Sequence, residues 1–153
     1  MDGAVRIWDM KTGECRHILM QHGSLVGLLS CSPSYLVSAA ADGTLCVWNP
    51  DTGELYRQLS AESGHVGAIT TFQHDETKVV SGSNGPGFLR LWDIQSGALV
   101  RELITGVTGV GRVAFSGRWC VAVNIVDDVN FIDTWHFGED GEDAGVGSRP
   151  FDL

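Results

Sequence analysis

Positive charge is scarce in this sequence: ten lysines and arginines stand against nineteen aspartates and glutamates, for a formal net charge of −9. A polyanion is repelled by that balance, which argues against nucleic acid as a partner. An anionic membrane surface is disfavoured for the same reason. Part of the acidity is local, with Glu139, Asp140, Glu142, Asp143 and Asp152 set against a single Arg149. Cysteine is limited to Cys15, Cys31, Cys46 and Cys120, with no C-x-x-C pair and no histidine at a zinc spacing. No metal or other cofactor is therefore expected, and the four read as buried, reduced thiols of a protein of the nucleus or cytoplasm. No apolar run approaches the ~20 residues of a membrane span. The first residues lack a basic stretch followed by an apolar one, so no secretory signal is expected there. Proline occurs four times, and no window carries a 3.6-residue period, so no substantial helix is predicted.

Glycine, by contrast, is abundant at 20 of 153 residues. Frequent glycine between short apolar runs predicts many tight turns and an all-β chain. The runs repeat. Asp2-Gly3-Ala4-Val5-Arg6-Ile7-Trp8-Asp9 returns as Asp42-Gly43-Thr44-Leu45-Cys46-Val47-Trp48-Asn49. It returns again, two residues longer, from Asn84-Gly85-Pro86-Gly87 to Leu91-Trp92-Asp93. Gly13, Gly53 and Gly97 follow the three tryptophans by five positions, and the intervals from Trp8 to Trp48, Trp92 and Trp135 are 40, 44 and 43 residues. Val5 and Ile7 flank Arg6, and Leu89 and Leu91 flank Arg90, which is the two-residue period of strands. A repeat of ~40–45 residues built of short strands is the interval of one four-stranded propeller blade.

On these residues the chain resembles the WD-repeat family over residues 2–137. The resemblance implies a partial β-propeller of about three and a half blades. An incomplete blade is expected at 1–20 and full blades at about 21–60 and 61–104. A last blade at 105–137 lacks its fourth strand, and 138–153 is expected to be an acidic, disordered tail. The resemblance also implies a buried hydrogen-bonded set in each full blade: His22, Ser38, Asp42 and Trp48 in one, His65, Ser81, Asn84 and Trp92 in the next. In the family the indole N–H donates to the hydroxyl, the hydroxyl to the imidazole and the imidazole N–H to the carboxylate. The spacing from Ser81 to Asn84 is one residue shorter than that from Ser38 to Asp42. The last blade has Ala122 at the serine position and Gly106 at the histidine position. It is expected to be held by packing alone.

A Ser-His-Asp set also matches a hydrolase triad, but here it recurs, and each serine sits in an apolar strand rather than on a sharp G-x-S-x-G turn. A non-catalytic binding module is the better reading. Gly109-x-Gly111-x-x-Ala114 loosely matches a dinucleotide fingerprint but leads into a strand, not a helix. Asp127-Asp128 reads as a solvated turn, since no other oxygen ligands stand at a calcium-loop spacing. Arg6, Arg57, Arg90, Arg101, Arg112 and Arg118 read as solvated blade edges, and Trp119 as core.

Two stretches are more specific than the repeat. Residues 22–42, from His22-Gly23-Ser24 to Ala41-Asp42, and residues 68–83, from Ala68-Ile69-Thr70 to Gly82-Ser83, are similar to late blades of fungal F-box/WD-repeat cell-division-control proteins. That resemblance implies the C-terminal part of a substrate receptor of a cullin-based ubiquitin ligase, whose propeller holds a phosphorylated substrate and whose F-box, absent from these residues, holds the adaptor. A WD-repeat scaffold of another pathway, such as a transcriptional corepressor or signalling platform, is the alternative. The family's last b–c loop usually carries an arginine, where this sequence has Val126 beside two acids. Candidate partner-facing positions are Ala40, Ala41, Ser83, Ile125 and Val126. An arc of this length is expected to expose apolar sheet faces, so that the chain by itself would aggregate, or close a ring with further copies.

Overall fold

The structure, a computed structural model, describes residues 3–59, 65–138 and the backbone of 144–150. The described residues form strands without a helix. β1 (Ala4–Trp8) and β2 (Cys15–Met20) make an antiparallel pair. β3 (Val26–Cys31), β4 (Leu36–Ala40), β5 (Leu45–Trp48) and β6 (Leu55–Leu59) form a four-stranded antiparallel sheet in chain order. β7 (Ile69–His74), β8 (Lys78–Asp93), β9 (Leu99–Ser116), β10 (Trp119–Val126), β11 (Val129–His136) and β12 (Ala144–Pro150) are likewise bonded in chain order.

Two of these runs serve two strand positions each. In β8 the Trp92 indole nitrogen lies 2.8 Å from Ser81 Oγ, eleven residues back. An extended chain would separate them by more than ~30 Å. The run therefore doubles back at 84–87, where Gly85 has φ 60° and the Gly85–Pro86 peptide is cis. β9 leaves one blade and enters the next. Its residues 99–109 pair with β8, and 109–116 pair with β10. The arc thus comprises a leading half blade and three four-stranded blades, an all-β partial propeller.

The central strands β4 and β5 are buried along their whole length. Strands covered on both faces carry near-continuous apolar runs, here Leu36-Val37 and Leu45-Cys46-Val47-Trp48. The core is three separate layers, one between each pair of successive blades. Val5, Leu19, Leu36, Cys46 and Trp48 fill the first. Val37, Leu45, Val47, Leu59, Val79 and Trp92 lead the second. Val80, Leu89, Ile104, Val113, Phe115 and Trp135 lead the third. Each such side chain contributes about 1.5–3 kcal/mol by leaving water.

The structure departs from the sequence reading at several places. The last blade has a fourth strand: β12 runs antiparallel to β11, with Ile132 opposite Arg149 and His136 opposite Ala144. Residues 144–150 carry little apolar surface, so periodicity gives no strand signal. An edge strand needs only to satisfy the open backbone groups of its neighbour. The rest of the expected tail, 139–143 and 151–153, lies outside the described residues, as do Asp2 and the blade boundary within 60–64. Cys46 and Cys120 are buried, but Cys15 and Cys31 are exposed. Burial pushes the Cys46 thiol up to about 12. Trp119 is exposed rather than core, because β10 alternates and its inward positions are Cys120, Ala122 and Asn124. Arg90 is buried, paired with Glu102 at 2.6 Å and laid over the Phe88 ring.

Turns between second and third strands reach under the following blade. Gly43 has φ 80°, and a Cβ there would sit 2.2 Å from the His65 carbonyl oxygen. Gly13 has a similar φ of 73° with open space around it. Gly13→Ala should therefore lower stability by only the backbone penalty, ~1 kcal/mol. Gly43→Ala should lower it by about 3 kcal/mol, since strain and overlap combine. Urea unfolding of the two variants checks the difference.

Candidate functional site

In the blade of β3–β6 a single chain of protons runs from strand to loop. Trp48 Nε1 donates to Ser38 Oγ at 2.9 Å, and Ser38 Oγ lies 2.7 Å from His22 Nε2. His22 Nδ1 lies 2.7 Å from Thr44 Oγ1, which donates to Asp42 Oδ1 at 2.6 Å. Thr44 gives its proton to the carboxylate and so accepts from Nδ1. Nε2 is then the acceptor of the serine proton, and the imidazole is neutral. The link from imidazole to carboxylate is therefore not direct: Thr44 stands between them. Asp42 also accepts from the backbone nitrogens of Gly23 and Thr44, both at 3.0 Å, which ties the loop before β3 to the turn after β4.

The next blade ends its chain differently. Trp92 donates to Ser81, and Ser81 meets His65 Nε2 at 2.7 Å. His65 Nδ1 meets Ser83 Oγ at 2.8 Å, and Ser83 turns to the Pro86 carbonyl. Asn84 takes no part. Its side-chain oxygen instead accepts from Val110 N at 3.1 Å, bonding this blade to the following one. Asn84 stands one position nearer its serine than Asp42 does and is turned to Val110, and Ser83 takes the place at the imidazole. In the last blade Asn124 is buried and donates to Asp133. A polar pair supports that blade beside the packing, displaced from the positions of Ala122 and Gly106.

Ser38 and Ser81 are fully buried and accept an indole proton, so neither hydroxyl meets solvent or a substrate. Burial lowers the pKa of His22, and burial together with the Arg90 charge lowers that of His65 to about 4. No cluster of three or more metal-ligating side chains occurs among the described residues. No helix among them is long and apolar enough to cross a membrane. The Gly109–Ala114 stretch lies within β9, and Asp127-Asp128 form a two-residue hairpin turn with φ 49° and 63° between Val126 and Val129.

What remains for contact is the surface of the arc. The innermost strands β3, β7 and β9 line a groove of about 350 Å³ with Leu28, Ser30, Thr70, Phe72 and Arg112 among its walls. β7 and β9 are tied there by side chains: Thr70 Oγ1 donates to the Val110 carbonyl at 2.6 Å, and Gln73 bonds both backbone groups of Phe115 at 2.8 Å. Arg112 is exposed on this wall, a placement the alternation of Arg112 with Val113 does not distinguish from an outer edge. Of the candidate partner-facing positions, Ala41 is exposed, and Ile125 and Val126 are half-buried. Ala40 and Ser83 are buried, and Ser83 is engaged with His65, so neither faces a partner.

Comparison with known proteins agrees with this architecture. Residues 13–49 match the family model for "WD domain, G-beta repeat". The chain is 41% identical over 145 residues to Cell division control protein 4 of Candida albicans, covering 91% of this chain and 20% of that protein. It is 30% identical to Regulator of rDNA transcription protein 13 of Saccharomyces cerevisiae, covering 90% of this chain and 83% of that one. It is 36% identical over 69% of its length to the F-box/WD repeat-containing protein sel-10 of Caenorhabditis elegans. Among solved structures, the computationally designed Ika4 protein superposes with a TM-score of 0.74 at 31% identity, over 90% of this chain and 81% of that one. The chain spans about a fifth of the length of the Candida relative.

Two measurements test the buried chains. Ser38→Ala leaves the Trp48 N–H and the His22 acceptor unpaired and should lower stability by about 2–4 kcal/mol in urea unfolding. The pKa of His65 lies below its ordinary 6.5 when folded. Its contribution is thus complete above pH 6.5 and lost as pH falls toward about 4. Stability should drop over that window by on the order of 3 kcal/mol, and His65→Gln should flatten the drop.

Proposed function

The chain belongs to the WD-repeat family, and we propose that its arc of blades serves substrate recognition in an SCF-type ubiquitin ligase, holding a phosphorylated protein for ubiquitin-dependent degradation. The observation that carries this reading is the 41% identity to the Candida cell-division-control protein across 91% of the chain. The F-box named in the Caenorhabditis relative supports it. Such a receptor works in the nucleus or cytoplasm, and its F-box binds the ligase adaptor. The residues that most resemble a catalytic set, Ser38 with His22 and Ser81 with His65, are engaged in the buried chains, which supports a binding role for the arc. Arg112 on the groove wall supplies a forked donor suited to a phosphate. The acidic turn at Asp127-Asp128 repels one, so a phosphate is read as seated away from that turn.

A WD-repeat scaffold of another pathway is the second reading, favoured by the relative whose name refers to rDNA transcription. The two differ in what they require of a ligand. Fluorescence anisotropy of the chain with paired phosphorylated and unphosphorylated peptides should show at least ~10-fold preference for the phosphorylated form, about 1.4 kcal/mol. Arg112→Ala should reduce that preference. Equal binding of the two peptides would turn the reading toward the scaffold.

A further inference from the structure

The innermost strand of a blade pairs on one side only, and an unpaired strand edge is a template for a further strand. In β7 the bond from Asp75 N to the Lys78 carbonyl fixes which way each backbone group points. Counting back from it, His74 opposite Val79 and Phe72 opposite Ser81 are pairs of the non-hydrogen-bonded kind. The N–H and C=O groups of Phe72 and His74 therefore point away from β8, toward the inner edge. The matching groups of β9 belong to Val113, opposite Ala122, and Phe115, opposite Cys120.

The two edges differ in their cover. Side chains of β7 close the edge of β9. Val113 N donates to Thr71 Oγ1 at 3.1 Å, and Gln73 bonds the N–H and the carbonyl of Phe115, each at 2.8 Å. A glutamine amide is both donor and acceptor, so it stands in for the peptide group of a neighbouring strand. The edge of β7 has no such cover from β3. The positions of β3 that match Thr71 and Gln73 are Leu28, opposite Ala39, and Ser30, opposite Val37. Leucine has no polar atom, and a serine hydroxyl is too short to span both groups. Among the described residues, no side chain bonds the Phe72 or His74 backbone on this edge. Both neighbours of β7 lie within the chain, so the difference between the edges comes from residues 28 and 30 against 71 and 73.

We propose that the inner edge of β7 takes an extended segment of the bound protein as an added strand, with a phosphorylated side chain of that segment at Arg112. The groove of about 350 Å³ beside this edge is walled by Leu29, which is 57% exposed, and by Arg112, and no carboxylate stands among its described walls. In a chain of net charge −9 that is a slot suited to an anionic group beside an apolar one. A strand set about 4.8 Å from β7 exchanges backbone bonds with Phe72 and His74 and sends alternate side chains to the two walls. Backbone pairing then supplies affinity, and the alternate side chains supply selectivity. The phosphate rests on the receptor reading above; the strand pairing does not depend on it.

The test uses the 153-residue chain and a short peptide of alternating valine and threonine with one central phosphothreonine. Its unphosphorylated twin and versions N-methylated at alternate residues serve as controls. Read by NMR, amide hydrogen exchange at Phe72 and His74 should slow about tenfold or more on binding, while Val113 and Phe115, already bonded, stay unchanged. Methylation of one alternate set of peptide nitrogens should weaken binding about tenfold, and of the other set not at all. Ser30→Gln supplies from β3 the amide that Gln73 supplies from β7. It should weaken both peptides by the same factor and keep the preference for phosphate, whereas Arg112→Ala should remove only the preference. Binding that ignores both N-methylation and Ser30→Gln would overturn the added strand and leave the receptor reading standing, as would binding without protection of Phe72 and His74. Failure of both peptides to bind at about 1 mM would overturn the added strand as well. Equal binding of the two peptides with the methylation pattern retained would overturn the phosphate at Arg112, and the receptor reading with it, and leave the strand.

Discussion

A four-stranded sheet that is apolar on both faces cannot stand in water by itself, and every other feature of this molecule follows from that constraint. Each blade is stabilised by its neighbour rather than by its own interior, which is why the core is three layers and not one. Burial on both faces dictates the near-continuous apolar runs of β4 and β5. It dictates glycine where a turn of one blade passes under the next, as at Gly43 beneath His65.

Packing alone does not fix how one blade sits on another, and the buried polar chains supply that definition. A satisfied hydrogen-bonded chain in a low-dielectric interior is rigid, because any displacement strands a donor or acceptor. The three complete blades solve this in three ways. The first sends its protons to a carboxylate through Thr44, the second to a carbonyl through Ser83, and the third replaces the chain with Asn124 and Asp133. Neutral imidazoles are common to the first two. Their lowered pKa values reflect burial, so the network is built for neutral and mildly basic conditions.

Function is left to what the scaffold does not consume. The serines, histidines and tryptophans that look most like chemistry in the sequence are the ones most completely absorbed by structure. The groove between β3, β7 and β9 and the loops of the arc carry exposed residues, among them Arg112 and Ala41. A rigid frame with replaceable surface groups suits recognition of other proteins.

The repeat of Asp/Asn-Gly turns, tryptophans and Thr/Ser-Gly turns was enough to determine the strands, the blade period and the participation of His22, Ser38, His65 and Ser81, because those depend on local pattern and fixed spacing. Register and long-range geometry lie beyond such a pattern. Thr44 and Ser83 enter the chains only because the turns place their hydroxyls against an imidazole, and Asn84 leaves because its loop turns it toward Val110. Trp119 and Arg90 were misplaced because a strand's alternation says that two faces exist, not which of them is covered. Strand β12 was invisible for a related reason: an edge strand is held by backbone groups that every sequence has. The sequence by itself determined the repeating unit and its polar interior. The tertiary structure decided which faces are closed, which are open and what stands in the groove, since those follow from the packing of one blade against the next.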